Sequence, residues 1–357
     1  IRFKIISGDN PDTVRATVAH LKLPLADEPV VSGDQLASPQ KDELIASRSV
    51  FGRVSPRQKV EIVEGLQKQG NHVAMTGDGV NDVLPIKKAD LGIAMGEGSR
   101  AAKTVADLVL ETNNFDLLPE TLEEGRTILR NLRRSSKLFL LKNVYTLILI
   151  LGFIFLGGEF PYLPQQVTLL NFLTIGIPAL VITLSKERST AATKSPFLRE
   201  VGSFVLRSGL VIGIAGLLLT HWARATWPEG EVMERMPPLS SLLPLYAKDR
   251  LPLSLTGVDL HRTLLLSALV LLGITALLRA LTDGEEKPLL GDRRFRWLAI
   301  GALPVYLLTM YWGPPARFFR LAALHPAEWG MVLAVVVPAY LLCRLSDWWV
   351  ARPREQS

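Results

Sequence analysis

Cysteine is nearly absent from this sequence. Its one example, Cys343, lies in an apolar run, so no disulfide can form within the 357 residues. No cysteine-based metal site is visible either. The opening stretch, IRFKIISGDN, has no signal-peptide character and reads as the middle of a domain. A basic surface suited to nucleic acid is also missing. Residues 1–135 carry 18 Lys/Arg against 19 Asp/Glu, and residues 136–357 carry 22 against 15, so the whole excess of +6 belongs to the apolar half. That distribution suggests basic loops beside membrane spans.

What is present divides in two. Up to about residue 118, short apolar runs alternate with helical patterns. FKIIS (3–7), VFGRV (50–54), HVAMT (72–76), LGIAM (91–95) and ADLVLE (106–111) read as strands. Asn10 and Pro11 open one helix; Ser55 and Pro56 open another, which Gly70 closes. Strands alternating with helices predict a parallel, doubly wound α/β sheet, which binds ligands at the carboxyl ends of its strands. Both SGD (7–9) and TGDG (76–79) fall at such ends.

From Leu138 on, six apolar stretches follow, at about 138–156, 163–184, 201–222, 263–281, 297–312 and 329–349. Most reach the roughly 20 residues that span a bilayer core. With the first half cytosolic, the loops at 185–200 and 282–296 and the tail are cytosolic too. Those two loops hold four Lys/Arg each, whereas residues 157–162 hold none. Trp222, Trp297, Trp312, Trp329, Trp348 and Trp349 sit at span ends, as interfacial anchors do. Between the halves, Arg126 to Leu151 contains neither Gly nor Pro. One continuous helix there would be roughly 39 Å long; two helices meeting at Ser135–Ser136 is the alternative.

The chemistry concentrates in VAMTGDGVND. Gly77 and Gly79 permit a tight turn and close ligand approach. Asp78 between them would project from the strand end, and Asn81 and Asp82 add oxygens at the mouth of the next helix. Hard oxygen ligands suit Mg²⁺ held between carboxylate and phosphate. Lys59, at the start of a helix, could supply a cation to phosphate oxygens. For TGDG alone, an Asx turn beside a solvated lysine is a serious alternative.

The order SGDN, FGRVSPRQKVEIV, AMTGDGVNDVLPIKKADLGIAMGEGSRAAKTVADLVL, NNFDLLPETLEEGRTILRNL resembles the P-type cation-transporting ATPases. The resemblance covers nearly the whole chain and lies closest to bacterial calcium-pump-like members. It implies a partial haloacid dehalogenase-like (Rossmann-like) α/β domain followed by an all-α six-helix transmembrane bundle. The expected division is 1–118 for the C-terminal part of the phosphorylation domain, 119–137 for a helical stalk, 138–350 for the membrane domain and 351–357 for a cytosolic tail. The resemblance assigns Asp78 to Mg²⁺, Asn81 and Asp82 to the phosphorylation site, and Lys59 to phosphate neutralisation. Ser7, Gly8 and Asp9, with Gly77 and Gly79, become nucleotide- or phosphate-binding residues. SGD departs from the family's T-G-D but keeps the hydroxyl. The cofactors implied are Mg²⁺ and ATP.

One departure is severe. The family's nucleophile is the Asp of D-K-T-G-T, and no such motif occurs here. The reading is therefore a C-terminal fragment, inactive alone, whose partners are the missing N-terminal half, the lipid bilayer and a transported cation. The expected place is a bacterial plasma membrane, with the first half cytoplasmic. In this family the ion site draws on spans that here contain LLKNVYTLI and LLNFLTIGIPALVITL, which makes Asn143, Thr146, Asn171 and Thr174 ion-site candidates. Helix–helix hydrogen bonding is their alternative role. Calcium-pump members carry acids where this chain has Thr146 and Ile175, so a two-calcium site is disfavoured, while TIGIP keeps Ca²⁺ the first choice. Arg207 and Arg279, near cytosolic ends, read as snorkelling. A non-catalytic truncated protein with a scaffolding or regulatory role is the second function, and a membrane-anchored phosphatase the third.

Overall fold

The computed structural model describes residues 1–157, 159–184, 196–235, 253–282 and 293–351. Most of the basic loops at 185–200 and 282–296, and nearly all of the tail, lie outside the described residues. The chain divides into two compact units, Ile1–Thr121 and Leu122–Ser357.

The first unit runs β1 (Ile5–Ile6), α1 (Pro11–His20), β2 (Val31–Ser32), α2 (Lys41–Ser47), β3 (Val50–Gly52), α3 (Pro56–Lys68), β4 (Ala74–Gly77), α4 (Val83–Lys88), β5 (Leu91–Met95), α5 (Arg100–Val105) and β6 (Leu108–Leu110). Caps set the helix starts as the sequence suggests. Asn10 accepts from the Asp12 amide ahead of α1, and Ser55 accepts from the Gln58 amide ahead of α3. Gly70 then leaves α3 at a φ of 81°.

All strand pairs in this unit are parallel, as the alternating pattern requires. They form two three-stranded sheets, β1-β3-β2 and β4-β5-β6, not one. Among the described residues, β1 pairs only with β3 and β4 only with β5. The first sheet covers a core of Val31, Leu36, Ile45, Phe51, Val54 and Ile62, and the second one of Met75, Ile86, Ala94 and Ala102. α3 ties them, because Gln67 Nε2 donates to the Lys88 carbonyl of α4 at 3.1 Å and Glu64 pairs with Lys88 at 2.9 Å.

In the second unit, α6 (Leu117–Leu156) enters from the first as one unbroken helix of 40 residues, passing Ser135–Ser136 without interruption. α7 (Pro164–Asn171) and α8 (Ile177–Thr183) are joined by a π-helical turn at Phe172–Gly176. α9 (Phe197–Thr226) follows, then a hairpin of β7 (Val232–Arg235) and β8 (Leu253–Thr256), α10 (Gly257–Thr282), α11 (Arg293–Tyr311), α12 (Gly313–Phe319) and α13 (Pro326–Ala351). Among the described residues, five helices, counting α7–α8 as one, are long and apolar enough to cross a membrane. The fifth expected stretch does form α11, but its apolar part, Ile300–Tyr311, is short. α9, α10 and α13 pack into the centre of the unit around Leu219, Leu264, Leu266, Val270 and Val332.

Arg279 does not snorkel. It is buried, forms a two-pronged pair with Asp347 of α13 at 2.7 and 3.0 Å, and donates to Ser208 Oγ at 2.8 Å. A charge so far from water persists only when paired. Arg207 likewise donates to the Ser346 carbonyl at 2.6 Å.

Candidate functional site

The site is built where β4 ends. Gly77 closes the strand, and a single 3₁₀ turn, Val80–Asp82, precedes α4. That turn folds Asp82 back over Gly77. A Cβ at Gly77 would lie 2.5 Å from the Asp82 Cβ and 2.8 Å from Oδ2, so only glycine admits the carboxylate there. Asp82 then meets Lys59 of α3. Its Oδ1 accepts from Lys59 Nζ at 2.6 Å, with both side chains about a tenth exposed. Its other oxygen, Oδ2, receives the Gly79 amide at 3.4 Å. Asp78 is different. Its backbone is pinned, because its carbonyl accepts from the Ser99 amide at 2.6 Å, but its carboxylate is exposed and has no protein partner among the described residues. Asn81 is exposed beside it.

A second cluster lies at the end of β1. The Ser7 hydroxyl donates to Asp9 Oδ2 and receives the Asp9 amide, each at 3.1 Å. The turn is bound to the connection between β3 and α3. The Arg53 amide donates to the Asp9 carbonyl at 2.6 Å and the Val54 amide to the Ser7 carbonyl at 3.0 Å. Arg53 takes a left-handed φ of 54° to do so, a conformation unfavourable for a residue with a side chain. Gly8 and Asp9 are exposed. The same connection leads within one turn to Lys59, so α3 begins between the two clusters. Together they offer carboxylates, a hydroxyl, backbone amides and one buried cation around two strand ends.

This donor set fits Mg²⁺. The ion needs only one or two carboxylates and keeps several waters, and Asp78 supplies an unpaired one. Lys59 pairs with Asp82, so at this strand end Asp78 carries the carboxylate without a protein partner among the described residues. No cluster of three or more His, Cys, Asp or Glu side chains that could hold a metal ion occurs among the described residues.

In the second unit the four candidate residues separate by environment. Asn143 is exposed on α6. Thr146 is half-buried, and its Oγ1 approaches the Tyr162 side chain without a well-formed hydrogen bond. Asn171 is half-buried at the start of the π turn, and its Oδ1 is buried with no partner. Thr174 is buried, donates to the Leu170 carbonyl at 2.8 Å, and packs where Gly273 of α10 has no side chain. No hydrogen bond joins Thr146 to Asn171 among the described residues. The π turn is marked by the Ile177 amide, which reaches back five residues to the Phe172 carbonyl. Pro178 follows without an N–H, so backbone acceptors accumulate beside Asn171. Gly176 and Pro178 carried that signal in the sequence. Gln166, fully buried five residues before Asn171, carried none.

Comparison with known proteins gives matches to both units. The family model for the C-terminus of cation-transporting ATPases matches residues 159–349, and that for haloacid dehalogenase-like hydrolases matches residues 1–90. A calcium-transporting ATPase CtpE of Mycolicibacterium smegmatis is 39% identical over 258 residues, covering 68% of this chain and 32% of the relative. A calcium-transporting ATPase of Bacillus subtilis is 27% identical over 359 residues, covering 96% of this chain and 37% of the relative. A probable cation-transporting ATPase exp7 of Streptococcus pneumoniae is 36% identical over 242 residues, covering 65% and 31%. The chain thus spans about a third of the length of these relatives.

Proposed function

The chain belongs to the P-type cation-transporting ATPases, and from that premise we propose that it is the C-terminal part of a pump that moves Ca²⁺ across a membrane at the expense of ATP. The observation that carries the proposal is the end of β4, where a buried Lys59–Asp82 pair at 2.6 Å stands beside the exposed, unpaired Asp78.

Each residue has a separable task. Asp78 would hold Mg²⁺, which supplies charge neutralisation to the transferring phosphoryl group. Lys59 presents a cation at the same strand end and is held in place by Asp82. Backbone amides around Gly79 and the Ser7–Asp9 turn offer donors to phosphate or nucleotide oxygens. The nucleophile, an aspartate that becomes phosphorylated, is supplied from elsewhere in the longer polypeptide.

In the second unit, the unpartnered Thr146 Oγ1 and Asn171 Oδ1 and the π turn favour an ion site between α6 and the α7–α8 span. Unsatisfied polar atoms are costly inside a bilayer and mark functional positions there. Ca²⁺ is the ion because oxygen is the only ligand type offered and because the relatives include calcium-transporting ATPases.

The test uses the full-length polypeptide in membrane vesicles. Asp78→Asn should abolish Mg²⁺-dependent phosphorylation from ATP and Ca²⁺ uptake, while the protein remains folded and inserted, since the exposed Asp78 carboxylate has no hydrogen-bond or ion-pair partner among the described residues. Normal phosphorylation in that variant would remove Asp78 from the reaction.

A further inference from the structure

Between α12 and α13 the chain leaves helical structure inside a bundle of apolar helices. α12 ends at Arg320, which takes a left-handed φ of 50°. The next four residues, Leu321 to Leu324, are non-helical and buried. Backbone in such a place must have its polar groups satisfied by other protein groups.

Two buried polar side chains, Gln166 and Thr263, bond the backbone of this segment, and a third, Asp259, holds the Arg320 side chain. Gln166 of α7 donates its Nε2 towards the carbonyls of Phe319 at 3.2 Å and Arg320 at 3.4 Å, while its Oε1 receives the Leu163 amide at 3.0 Å. Asp259 of α10 accepts from Arg320 Nη2 at 2.8 Å. Thr263, one turn further along α10, accepts the Ala322 amide at 3.0 Å. Gln166, Asp259 and Thr263 are all at or near zero exposure. Gln165 adds a weaker bond to the Phe318 carbonyl at 3.4 Å.

We propose that residues 318–322 form a strap that fixes the start of α7 against α10, and that Gln166 is the positioning residue through which the strap sets the geometry of the ion site at Asn171 and Thr174. Three observations converge on this. α7 runs from Gln166 to Asn171 without a break, about 7.5 Å along the axis, and passes directly into the π turn. α10, which holds the strap's other side, also receives Thr174 at Gly273. The helix carrying the site is therefore held at both points by the same partner helix. A π turn is a weak place in a helix, and side chains placed around one depend on external restraint. The proposal rests on the reading of Asn171 and Thr174 as ion ligands.

The test measures equilibrium binding of radioactive Ca²⁺ to the purified full-length protein, together with its thermal unfolding temperature, in Gln166→Glu, Arg320→Gln and Asn171→Ala. Gln166→Glu keeps the acceptor for Leu163 but loses the donor to the strap. Its added negative charge alone would tighten Ca²⁺ binding, so weaker binding isolates the lost strap contact. The expected result is a rise of about tenfold in the Ca²⁺ dissociation constant, with little change in unfolding temperature. Arg320→Gln, which takes the charged partner at 2.8 Å from the buried Asp259, should shift it in the same direction and also lower the unfolding temperature. A lower unfolding temperature with unchanged affinity in both strap variants would reduce the strap to scaffolding and overturn the proposal. Should Gln166→Glu fail to fold, Arg320→Gln decides alone. A shift in the strap variants with none in Asn171→Ala would refute the ion-site reading and the route through Asn171 with it. A shift in Asn171→Ala alone would keep the site and remove the strap.

Discussion

Replacing Lys59 by Met strips the only charged partner that Asp82 has among the described residues. The carboxylate stays where Gly77 and the 3₁₀ turn put it, about a tenth exposed and facing an apolar side chain. Removing one member of a buried ion pair costs roughly 3–5 kcal/mol. The residual exposure of Asp82 and the Gly79 amide on its other oxygen put this case near the lower end, about 3 kcal/mol. The loss falls on the segment from β4 to α4, since Lys59 holds that segment to α3. Hydrogen exchange followed by mass spectrometry on peptides covering residues 73–90 of the full-length protein reads it directly. A loss of 3 kcal/mol of local stability is a factor of about 150 in exchange rate at 1.36 kcal/mol per decade. Lys59→Met with Asp82→Asn removes both charges and should recover a large part, giving a coupling energy of about 1–3 kcal/mol. Equal exchange in the single and double variants would refute the pairing as the restraint on this turn.

Gly77→Ala should abolish phosphorylation from ATP with the unfolding temperature of the membrane half unchanged, because its Cβ must displace the Asp82 carboxylate; activity above a tenth of the parent, an arbitrary but strict threshold of about one decade, argues against that fit. Gly-Gly at Ser135–Ser136 should weaken α6 by roughly 1 kcal/mol per glycine, leaving ATP hydrolysis but loosening its dependence on Ca²⁺; full Ca²⁺-stimulated turnover would make α6 a linker. Asp90 accepts the Val73 amide at 2.8 Å, and that bond first, with Gln67 second, holds its carboxyl below the ordinary 3.8. Its contribution to stability is therefore present above about pH 4 and is lost as pH falls through the folded value, so the difference in unfolding temperature between Asp90→Asn and the parent should shrink in acid and persist at neutral pH.

Much of the first unit was legible because its signals are local. LGIAM is β5 residue for residue, and Ser55, Pro56 and Gly70 mark α3 through cap chemistry that acts within a turn. Asp78 and Asp82 were legible as acids on a glycine turn. Their different fates were not, because the Lys59 contact lies 23 residues away in sequence. β2 has only two residues, too few for any periodicity. The division into two sheets depends on which strands find partners, and alternation alone does not encode that. In the second unit, apolar length located the long helices, but pairings across the bundle escaped it. Arg279 looked like a snorkelling residue since Asp347 is 68 residues on, and nothing singled out Gln166, since its carbonyl partners are 153 and 154 residues on.

The charge left for a transported ion follows from those same pairings. Glu200 is held by Arg133 and Lys137 of α6, Asp347 by Arg279, and Asp259 by Arg320 and Thr256. Each of these acids is tied to a cation in the fold, and for Glu200 and Asp347 separating the pair to serve an ion would leave a buried positive charge uncompensated. Thr146, Asn171 and Thr174 offer oxygens without charge. A divalent cation sheds its water only where both oxygen ligands and negative charge replace it. If the proposed ion site is correct, this chain contributes its neutral oxygens and its negative charge has to come from elsewhere. On that proposal, without two acids of its own the site would suit one Ca²⁺ and not a pair, and a stoichiometry of two Ca²⁺ per phosphoenzyme would refute it.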